Sequence, residues 1–541
     1  MPQTVATVIA RSLEAAGIRH AFVVPGESYL PLLDAMRDVD VRLVTCRHEA
    51  AAANMAEASA KLSGRPGVAM VTRGPGAAHA AIGLHTAQQD STPMLLFVGQ
   101  VGSDMLGREA FQEVDYGQMF GGIAKRVIML SEPERVGEQM AMALSTAMSG
   151  RPGPVVLVLP DDRLALPSAS VPLVPAHIHA PAISAEALAE TGALLARAEK
   201  PLLLLGGPGW TADDAAIAPQ VAERLGLPVV TSWRRKDRFD NGHPHYAGEL
   251  GLGANPALVQ AVGEADLLLV VGARLTENAT LGYGLFDQAW AARHLVHICQ
   301  DADALGRTWQ GRVQVQASVA SALKALLRLP EASRAAWVER LNNGYQRWTQ
   351  PTGVQSGVNP AAVIQILSAA LGEDAIYANG AGNFASWLHR FHHHRRPFTQ
   401  LAPTSGAMGY GVPAGIAAAI LHPERPVCVV AGDGDFLMAA GELATLAHEG
   451  AKLLFLVMDN GQYGTIRMHQ AQQFPGRPSA TRLTNPDFAA LARSFGLHGE
   501  TVRATADFAP ALARSLGKAA LIHVLVEPDE ITPGRRLEPG I

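Results

Sequence analysis

The stretch GDGDF, residues 432–436, places an acid between two glycines directly after an apolar run. That run, VCVVA, is rich in β-branched residues and follows a proline, so it predicts a short buried strand. A second apolar run, LLFLVM, predicts the next strand and is followed closely by Asn460. Because the carboxyl ends of parallel strands meet at one edge of a sheet, Asp433 and Asn460 should lie close together.

Carboxylate and amide oxygens suit Mg²⁺, which takes few ligands from protein when phosphates supply the others. The backbone amides of Gly434 and Asp435 open the following segment, where anions are favoured. The sequence therefore predicts a metal-bridged diphosphate at this edge. The alternative is a plain glycine turn that binds no ligand. Residues 436–450 predict one continuous helix that ends near Gly450.

The composition limits the class of protein. A chain of 541 residues is too long for one hydrophobic core and predicts about three or four domains. The net charge of −5, without a long basic run, argues against nucleic acid as a partner. The sequence predicts neither a bilayer-spanning segment nor a signal peptide. Three scattered cysteines, Cys46, Cys299 and Cys428, indicate a reducing compartment, so we expect a cytoplasmic location.

Strands and helices alternate along the chain, which predicts an α/β protein with three doubly wound parallel-sheet domains. We predict domains at 1–165, 185–330 and 355–541. A Pro-rich stretch, PSASVPLVPAHIHAPAIS, separates the first two domains, and a second linker lies around residues 351–360.

Several segments together resemble the thiamine-diphosphate enzymes of the acetolactate synthase, pyruvate oxidase and benzoylformate decarboxylase family. They are the GDG motif with its Asn, RHEAAAANMA at 47–56, NGAGNFASW at 379–387 and TSGAMGYGVPAG at 404–415. The resemblance covers nearly the whole chain. It implies a pyrimidine-binding domain, a central Rossmann-like domain and a diphosphate-binding domain, with thiamine diphosphate and Mg²⁺ as cofactors.

The resemblance also implies roles for individual residues. Mg²⁺ would be bound by Asp433, Asn460 and the carbonyl of Gln462. Glu49 would face the pyrimidine ring of the cofactor and drive its amino–imino tautomerisation, while Met408 would prop the cofactor in a bent shape. The other implied cofactor contacts are Asn383, Gly406, Gly432, Gly434, Asp435, Tyr463 and Gly464.

Residues on the substrate side are expected in three other segments. Gln112 lies in AFQE, which matches acetolactate synthases, and Glu27 or Ser28 lies in PGESYLPLL, where a capped helix start is the alternative. His469 would lie on the lid side, where acetolactate synthases often have a Trp.

Other positions also depart from the acetolactate synthase pattern. Arg73 and His79 stand in TRGPGAAH, where TSGPGATN is commoner, and either could bind a substrate carboxylate or face solvent. The middle segments GGPGW and GARLTE resemble a flavin-binding domain, but HICQDADALG departs from that pattern, so FAD is possible but not expected. Residues 392–394, three consecutive histidines, are expected in a solvated surface loop.

The expected function is decarboxylation of a 2-oxo acid, with or without carboligation. One alternative is a 2-hydroxyacyl-CoA lyase or oxalyl-CoA decarboxylase-like enzyme that acts on acyl-CoA substrates. Another is a catalytically silent regulatory subunit that binds thiamine diphosphate. The resemblance implies a homodimer as the catalytic minimum, doubled to a homotetramer.

Overall fold

The structure of the protein is a computed structural model that describes residues 3–175 and 180–537. It contains three six-stranded sheets in which every strand pairing is parallel. The predicted α/β class with three doubly wound sheets is therefore confirmed. No helix within the described ranges combines the length and the apolar character needed to cross a bilayer.

The first unit has the strand order β2-β1-β3-β4-β6-β5. Its strands are β1 (His20–Val23), β2 (Arg42–Thr45), β3 (Gly67–Val71), β4 (Met94–Gln100), β5 (Arg126–Met129) and β6 (Pro154–Pro160). Its helices are α1 (Val5–Ala15), α2 (Leu30–Ala35), α3 (Glu49–Ser63), α4 (Pro75–Asp90), α5 (Tyr116–Phe120), α6 (Val136–Met148) and α7 (Asp161–Leu164).

The central unit has the strand order β12-β11-β10-β7-β8-β9. Its strands are β7 (Pro201–Leu205), β8 (Val229–Ser232), β9 (Tyr246–Leu250), β10 (Leu267–Val271), β11 (Leu295–Cys299) and β12 (Val313–Gln316). Its helices are α8 (Ala185–Arg197), α9 (Ala212–Leu225), α10 (Pro256–Glu264), α11 (Gln288–His294), α12 (Val319–Leu326) and α13 (Ala335–Trp348), and α13 packs against β9.

The third unit has the strand order β14-β13-β15-β16-β18-β17, followed by an antiparallel hairpin. Its strands are β13 (Ile376–Asn379), β14 (Gln400–Leu401), β15 (Val427–Gly432), β16 (Leu454–Asp459), β17 (His498–Val502), β18 (Ala520–Leu525), β19 (Glu530–Thr532) and β20 (Arg535–Arg536). Its helices are α14 (Pro360–Leu371), α15 (Phe384–Phe391), α16 (Gly411–Leu421), α17 (Asp433–Leu437), α18 (Leu443–Glu449), α19 (Gly464–Gln473), α20 (Phe488–Ser494) and α21 (Thr505–Ser515).

The connections between the units are irregular in their described parts. The Pro-rich stretch has no named helix or strand, and residues 176–179, which also belong to this predicted linker, lie outside the described ranges. We retain the boundaries 1–165, 185–330 and 355–541 as a proposal.

The prediction of one continuous helix over residues 436–450 is wrong. Helix α17 stops at Leu437, a 3₁₀ turn covers Ala440–Glu442, and α18 starts at Leu443. At the break, Ala439 leaves the helical conformation with a φ of −134°. Beyond it, the carboxylate of Glu442 accepts hydrogen bonds from the backbone amides of Arg47 and His48 in the first unit. The predicted end is confirmed, since Gly450 caps α18 with a φ of 64°.

The prediction that residues 392–394 form a solvated loop is also wrong. His392 and His394 are buried, and the ring of His392 lies 4.0 Å from that of Tyr377. The buried Lys236 of the central unit donates a hydrogen bond to the carbonyl of His392 at 2.7 Å. Burial lowers the pKa of both imidazoles well below the usual value, so both stay neutral at physiological pH.

A buried carboxylate connects the three units. Asp90 Oδ2 accepts a hydrogen bond from Lys61 Nζ at 2.7 Å, and Oδ1 accepts one from Arg235 Nη2 at 3.0 Å. The Oδ1 atom also accepts the backbone amide of Thr404 at 3.0 Å. Burial alone would raise the pKa of Asp90, but the cations Lys61 and Arg235 outweigh it and hold the pKa well below its usual value.

We expect Asp90→Asn to lower the free energy of unfolding by about 3–5 kcal/mol at neutral pH, because Lys61 and Arg235 would stay buried without this counter-ion. Urea unfolding followed by circular dichroism measures the change. Asp90 has a lower pKa in the folded state than in the unfolded state. Its contribution to the free energy of unfolding is therefore complete above the unfolded-state pKa of about 3.9. This contribution is lost as the pH falls below that value and through the lower folded-state pKa.

The matched control is Asp38→Asn, which changes an exposed carboxylate of the same unit. It should alter the free energy of unfolding by no more than about 0.5 kcal/mol. Equal stabilities of the two variants would show that the Asp90 contacts do not hold the units together.

Candidate functional site

A cleft of about 220 Å³ opens at the carboxyl edge of the third sheet. It lies at the ends of the neighbouring strands β13 and β15. The strands that follow them in the chain, β14 and β16, lie in opposite directions along the sheet, and this is the usual ligand position in open α/β sheets. The predicted residues that line it are Asn383, Gly406, Met408, Gly432, Asp433, Gly434, Asp435, Asn460, Gln462, Tyr463 and Gly464.

Asp433 starts α17 directly beyond β15 and is buried. Its Oδ2 accepts a hydrogen bond from Asn485 Nδ2 at 2.6 Å. Burial raises the pKa of Asp433 to about 6, and the nearby carboxylate of Asp459 adds to the rise, although the Asn485 hydrogen bond opposes it. A cation at this carboxylate would favour the ionised form and reverse the rise.

The groups that support Asp433 were not singled out in the sequence. Asn485 Nδ2 also donates to Asp459 Oδ1 at 2.8 Å, and Asp459 Oδ2 lies 2.9 Å from His523 Nε2. Burial disfavours ionisation of Asp459, but the hydrogen bonds from His523 and Asn485 outweigh it and lower its pKa. Asn485 and His523 come from distant segments, so no local motif identifies them.

Asn460 begins the loop that follows β16. Its Oδ1 accepts the backbone amide of Gln462 at 3.3 Å, and the amide of Tyr463 donates to the carbonyl of Thr481 at 2.8 Å. The Tyr463 ring lies over Gly434, where an added Cβ would be only 2.6 Å from Tyr463 Cε1. The glycine therefore leaves room for a side chain to approach the backbone of α17.

Asp435 joins two other loops of the cleft. Its Oδ1 accepts the backbone amides of Ala381 at 3.2 Å and Gly409 at 2.9 Å. Its buried Oδ2 has no hydrogen-bond partner among the described residues, and burial raises the pKa of this carboxyl to about 7. Buried polar atoms are nearly always paired, so this oxygen is an exception among the described residues.

The remaining walls come from the loops after β13 and before α16. Asn383 Oδ1 accepts a hydrogen bond from Thr465 Oγ1 at 2.9 Å, which ties the first loop to α19. Gly406 has a φ of 70°, a conformation that favours glycine, and Met408 follows it on the cleft wall.

Glu27 lies at the carboxyl edge of the first sheet, outside the cleft. Its Oε1 lies 3.2 Å from Arg73 Nη2, and its side chain is 70% exposed. The alternative candidate Ser28 is buried and is 2.9 Å from Thr72 Oγ1. Glu27 is therefore the member of this pair that an external molecule can reach.

Glu49 and Gln112 lie on the same side of the first unit. Glu49 is the first residue of α3, and its Oε2 lies 2.9 Å from His79 Nδ1. An added Cβ at Gly76 would be 3.2 Å from Glu49 Oε1, and one at Gly74 would be 2.9 Å from Gln112 Cβ. The loop 72–76 therefore brings Glu27, Glu49 and Gln112 into one group, which we call the first-unit cluster.

The predicted residues thus form two groups within one chain. Glu27, Glu49 and Gln112 do not line the cleft of the third unit. His469 is exposed on α19 and is also outside the cleft lining.

Comparison with known proteins identifies the family. A family model described as the N-terminal TPP binding domain of thiamine pyrophosphate enzymes matches residues 3–119. The central domain of these enzymes matches residues 188–326, and their C-terminal TPP binding domain matches residues 380–524. This chain belongs to the thiamine pyrophosphate enzyme family. The resemblance inferred from the motifs is confirmed.

Similar proteins indicate which members of the family the chain resembles. The acetolactate synthase large subunit of Corynebacterium glutamicum is 32% identical over 95% of this chain and 84% of its own length. That of Parasynechococcus marenigrum is 33% identical over 92% of the chain and 83% of its own length. The acetolactate synthase isozyme 1 large subunit of Escherichia coli is 30% identical over 97% of the chain and 94% of its own length. The chain is an acetolactate synthase-like thiamine pyrophosphate enzyme.

The cleft fits the pyrophosphate end of this cofactor. Gly432 and Gly434 belong to its lining, and Asp433 and Asn460 offer oxygen atoms beside them.

We expect Asn485→Ala to weaken binding of thiamine diphosphate by about tenfold or more, as is typical when a residue that orients a metal ligand is removed. The variant leaves the carboxylates of Asp433 and Asp459 facing each other without the shared amide. Calorimetry with Mg²⁺ in the buffer measures the affinity. Asn342→Ala, which removes similar hydrogen bonds in the central unit, should leave the affinity unchanged. Equal affinities of both variants would contradict the assigned role.

Proposed function

We propose that this protein is a thiamine diphosphate- and Mg²⁺-dependent enzyme that decarboxylates a 2-oxo acid, with or without carboligation to a second carbonyl. The observation that carries the proposal is the cleft in which Asp433, Asn460 and Gln462 meet beside two glycines. The three buried cysteines are all unpaired, which supports our proposal of a cytoplasmic location.

In the proposed mechanism the protein positions the cofactor and controls protons. Asp433, Asn460 and the carbonyl of Gln462 would hold Mg²⁺, and Met408 would fix the bend of the cofactor. When bound, thiamine diphosphate supplies a carbanion-like carbon that attacks the substrate carbonyl. Glu49 would hold and release a proton at the pyrimidine end.

The proposed active unit is a homodimer, because Glu49 does not line the cleft of its own chain. A two-fold axis would place the first-unit cluster of one chain against the cleft of its partner. Large apolar side chains are exposed beside both groups: Phe111 is 75% exposed, Met438 57% and Ile466 54%. Such exposure supports an interface at these surfaces, and a second doubling would give the homotetramer.

Arg73 supports a substrate that carries a carboxylate. Its side chain is 12% exposed, and its Nε and Nη1 atoms have no hydrogen-bond partner among the described residues. Its ion-pair partner Glu27 points largely to solvent. A poorly compensated guanidinium beside Glu27 favours an anionic molecule such as a 2-oxo acid.

A reaction on acyl-CoA substrates is the second candidate function, because the central unit contains a glycine turn with a cleft beside it. There the glycine turn after β7 mainly packs against β10, since an added Cβ at Gly207 would be 1.9 Å from the carbonyl of Gly272. A cleft of about 50 Å³ lies beside this turn and includes Arg235 and Arg274. FAD is not expected here, and protection of the protein from heat by coenzyme A would favour the acyl-CoA reaction.

We expect Glu49→Gln to retain thiamine diphosphate but to slow release of CO₂ from 2-oxo acids by about 100-fold or more, because the amide cannot exchange a proton. A panel of 2-oxo acids, assayed for CO₂ and for carboligation products, identifies the best substrate for this comparison. Glu186→Gln changes an exposed acid in the first turn of helix α8 and should be fully active. Full activity of Glu49→Gln would refute the role. Wild-type protein that binds the cofactor but converts no acid would instead favour the silent subunit.

We expect Asp433→Asn to abolish Mg²⁺-dependent binding of thiamine diphosphate, because a neutral amide replaces the charged oxygen ligand. Calorimetry with Mg²⁺ and with EDTA measures the difference. Binding that is unchanged, or that is equal under both conditions, would rule out this carboxylate as the metal ligand.

A further inference from the structure

We propose that Arg234 of the central unit is a positioning residue for the cofactor, because its guanidinium group joins two separate loops of the cleft wall. This inference deepens the proposed function and rests on it for the identity of the ligand. Arg234 does not line the cleft itself. It would therefore act through the backbone of the two loops rather than by contact with the cofactor.

The two loops are joined by a fork of hydrogen bonds. Arg234 Nη2 donates to the carbonyl of Gly380 at 3.2 Å, and Nη1 donates to the carbonyl of Pro403. Gly380 directly follows β13, and Pro403 comes shortly after β14, the neighbouring strand. Because the planar guanidinium group presents its donors at a fixed spacing, it also fixes the distance between the two carbonyls.

Each carbonyl belongs to a part of the cleft wall that the proposed cofactor would contact. The Pro403 carbonyl also accepts the backbone amide of Gly406 at 3.1 Å, which closes the turn that leads to Met408. The Gly380 carbonyl lies at the start of the loop that contains Asn383. Since Met408 is proposed to fix the bend of the cofactor and Asn383 to contact it, the fork sets the distance between two proposed binding elements.

The backbone of Arg234 is held on both sides. Its amide donates to Glu249 Oε1 on β9, and its carbonyl accepts a hydrogen bond from Arg235 Nη1 at 2.8 Å. Arg234 has a φ of 59°, which is uncommon for a residue other than glycine, and its guanidinium carbon lies 4.5 Å from the centre of the Trp233 ring. These contacts direct the side chain from the central unit towards the two loops.

Carbonyl oxygens, rather than a carboxylate, compensate the buried guanidinium group. Only 5% of Arg234 is exposed, and its Nε has no hydrogen-bond partner among the described residues. Burial lowers the pKa of Arg234 to about 10, although the carboxylates of Asp90 and Glu249 oppose this change, so the side chain stays charged at neutral pH. Burial of such a charge is costly, which favours a specific role for the fork over simple packing.

The first test measures hydrogen exchange of backbone amides by mass spectrometry, without cofactor. Arg234→Met removes both donors but keeps a long unbranched side chain. We expect amides in residues 380–383 and 403–409 to exchange roughly 10- to 100-fold faster, the factor that corresponds to loss of one hydrogen bond to a charged group. Amides of β15 and β16, in the centre of the third sheet, should exchange as in wild type.

The second test measures the affinity for thiamine diphosphate by calorimetry with Mg²⁺. We expect Arg234→Met to bind about 10- to 100-fold more weakly, as is typical when a residue that orients ligand-binding groups is removed. Arg334→Met is the matched control. Arg334 also donates to backbone carbonyls, those of Leu195, Ala198 and Leu225, but all of them lie in the central unit. This variant should match wild type in both loops and in affinity.

Trp233→Phe provides a milder variant in case Arg234→Met does not fold. Phe attracts a cation less strongly than Trp, so we expect the same two loops to exchange about two- to fivefold faster. The proposal is refuted if a folded Arg234→Met exchanges like wild type in both loops, or if exchange rises equally throughout the third unit. If Arg234→Met does not fold, wild-type exchange in Trp233→Phe refutes it.

The failure of this inference can be separated from the failure of the proposed function. The exchange experiment contains no cofactor, so it tests the link between Arg234 and the two loops by itself. Faster exchange in Arg234→Met with unchanged affinity would refute the role towards the cofactor alone. Wild-type protein that does not bind thiamine diphosphate would overturn the proposed function and, with it, this role.

Discussion

The structure depends on the neutralisation of one buried carboxylate. Asp90 ends a helix of the first unit, and its charge is compensated by Lys61 of that unit and Arg235 of the central unit. An unpaired charge at this depth would cost several kcal/mol, so the units cannot shift apart without a large penalty. The neighbouring Arg234 donates to the carbonyl of Gly380 at 3.2 Å and to that of Pro403, in two loops that flank the cleft. The central unit, which contributes no residue to the cleft lining, thereby fixes the loops that form it.

The two groups of candidate residues occupy equivalent places in two similar sheets. The first and third sheets have the same strand order when each is counted from its own first strand. The cleft lies at the carboxyl ends of β13 and β15, and the first-unit cluster lies at those of β1 and β3, the corresponding pair. One topology therefore produces two ligand-facing edges. Differences between the side chains at these edges, rather than between the folds, would separate the proposed proton chemistry of the first-unit cluster from the proposed binding of the diphosphate in the cleft.

Features that depend on nearby residues could be predicted from the sequence, and features that depend on distant contacts could not. The strands beside Asp433 and Asn460 are short apolar runs with clear boundaries, so both the fold class and the convergence of these residues in one cleft were predictable. The break in the helix after Leu437 was not, because no proline marks the change of backbone conformation at Ala439. The burial of His392 depends on Lys236. The contacts of Asn485 could not be predicted, because its partners Asp433 and Asp459 lie in other segments of the chain.

The charge of the cleft supports a cation as part of the ligand. Asp433, Asp435 and Asp459 lie at or next to the place proposed for an anionic diphosphate, and burial raises the pKa of the first two. Like charges at this distance would repel the ligand unless positive charge is added. The proposed divalent cation at Asp433 and Asn460 would offset both the carboxylate and the phosphates. Because burial raises the pKa of Asp435 to about 7, a proton can neutralise this carboxyl group near neutral pH. With both changes, the acids of the cleft would be compatible with the proposed cofactor.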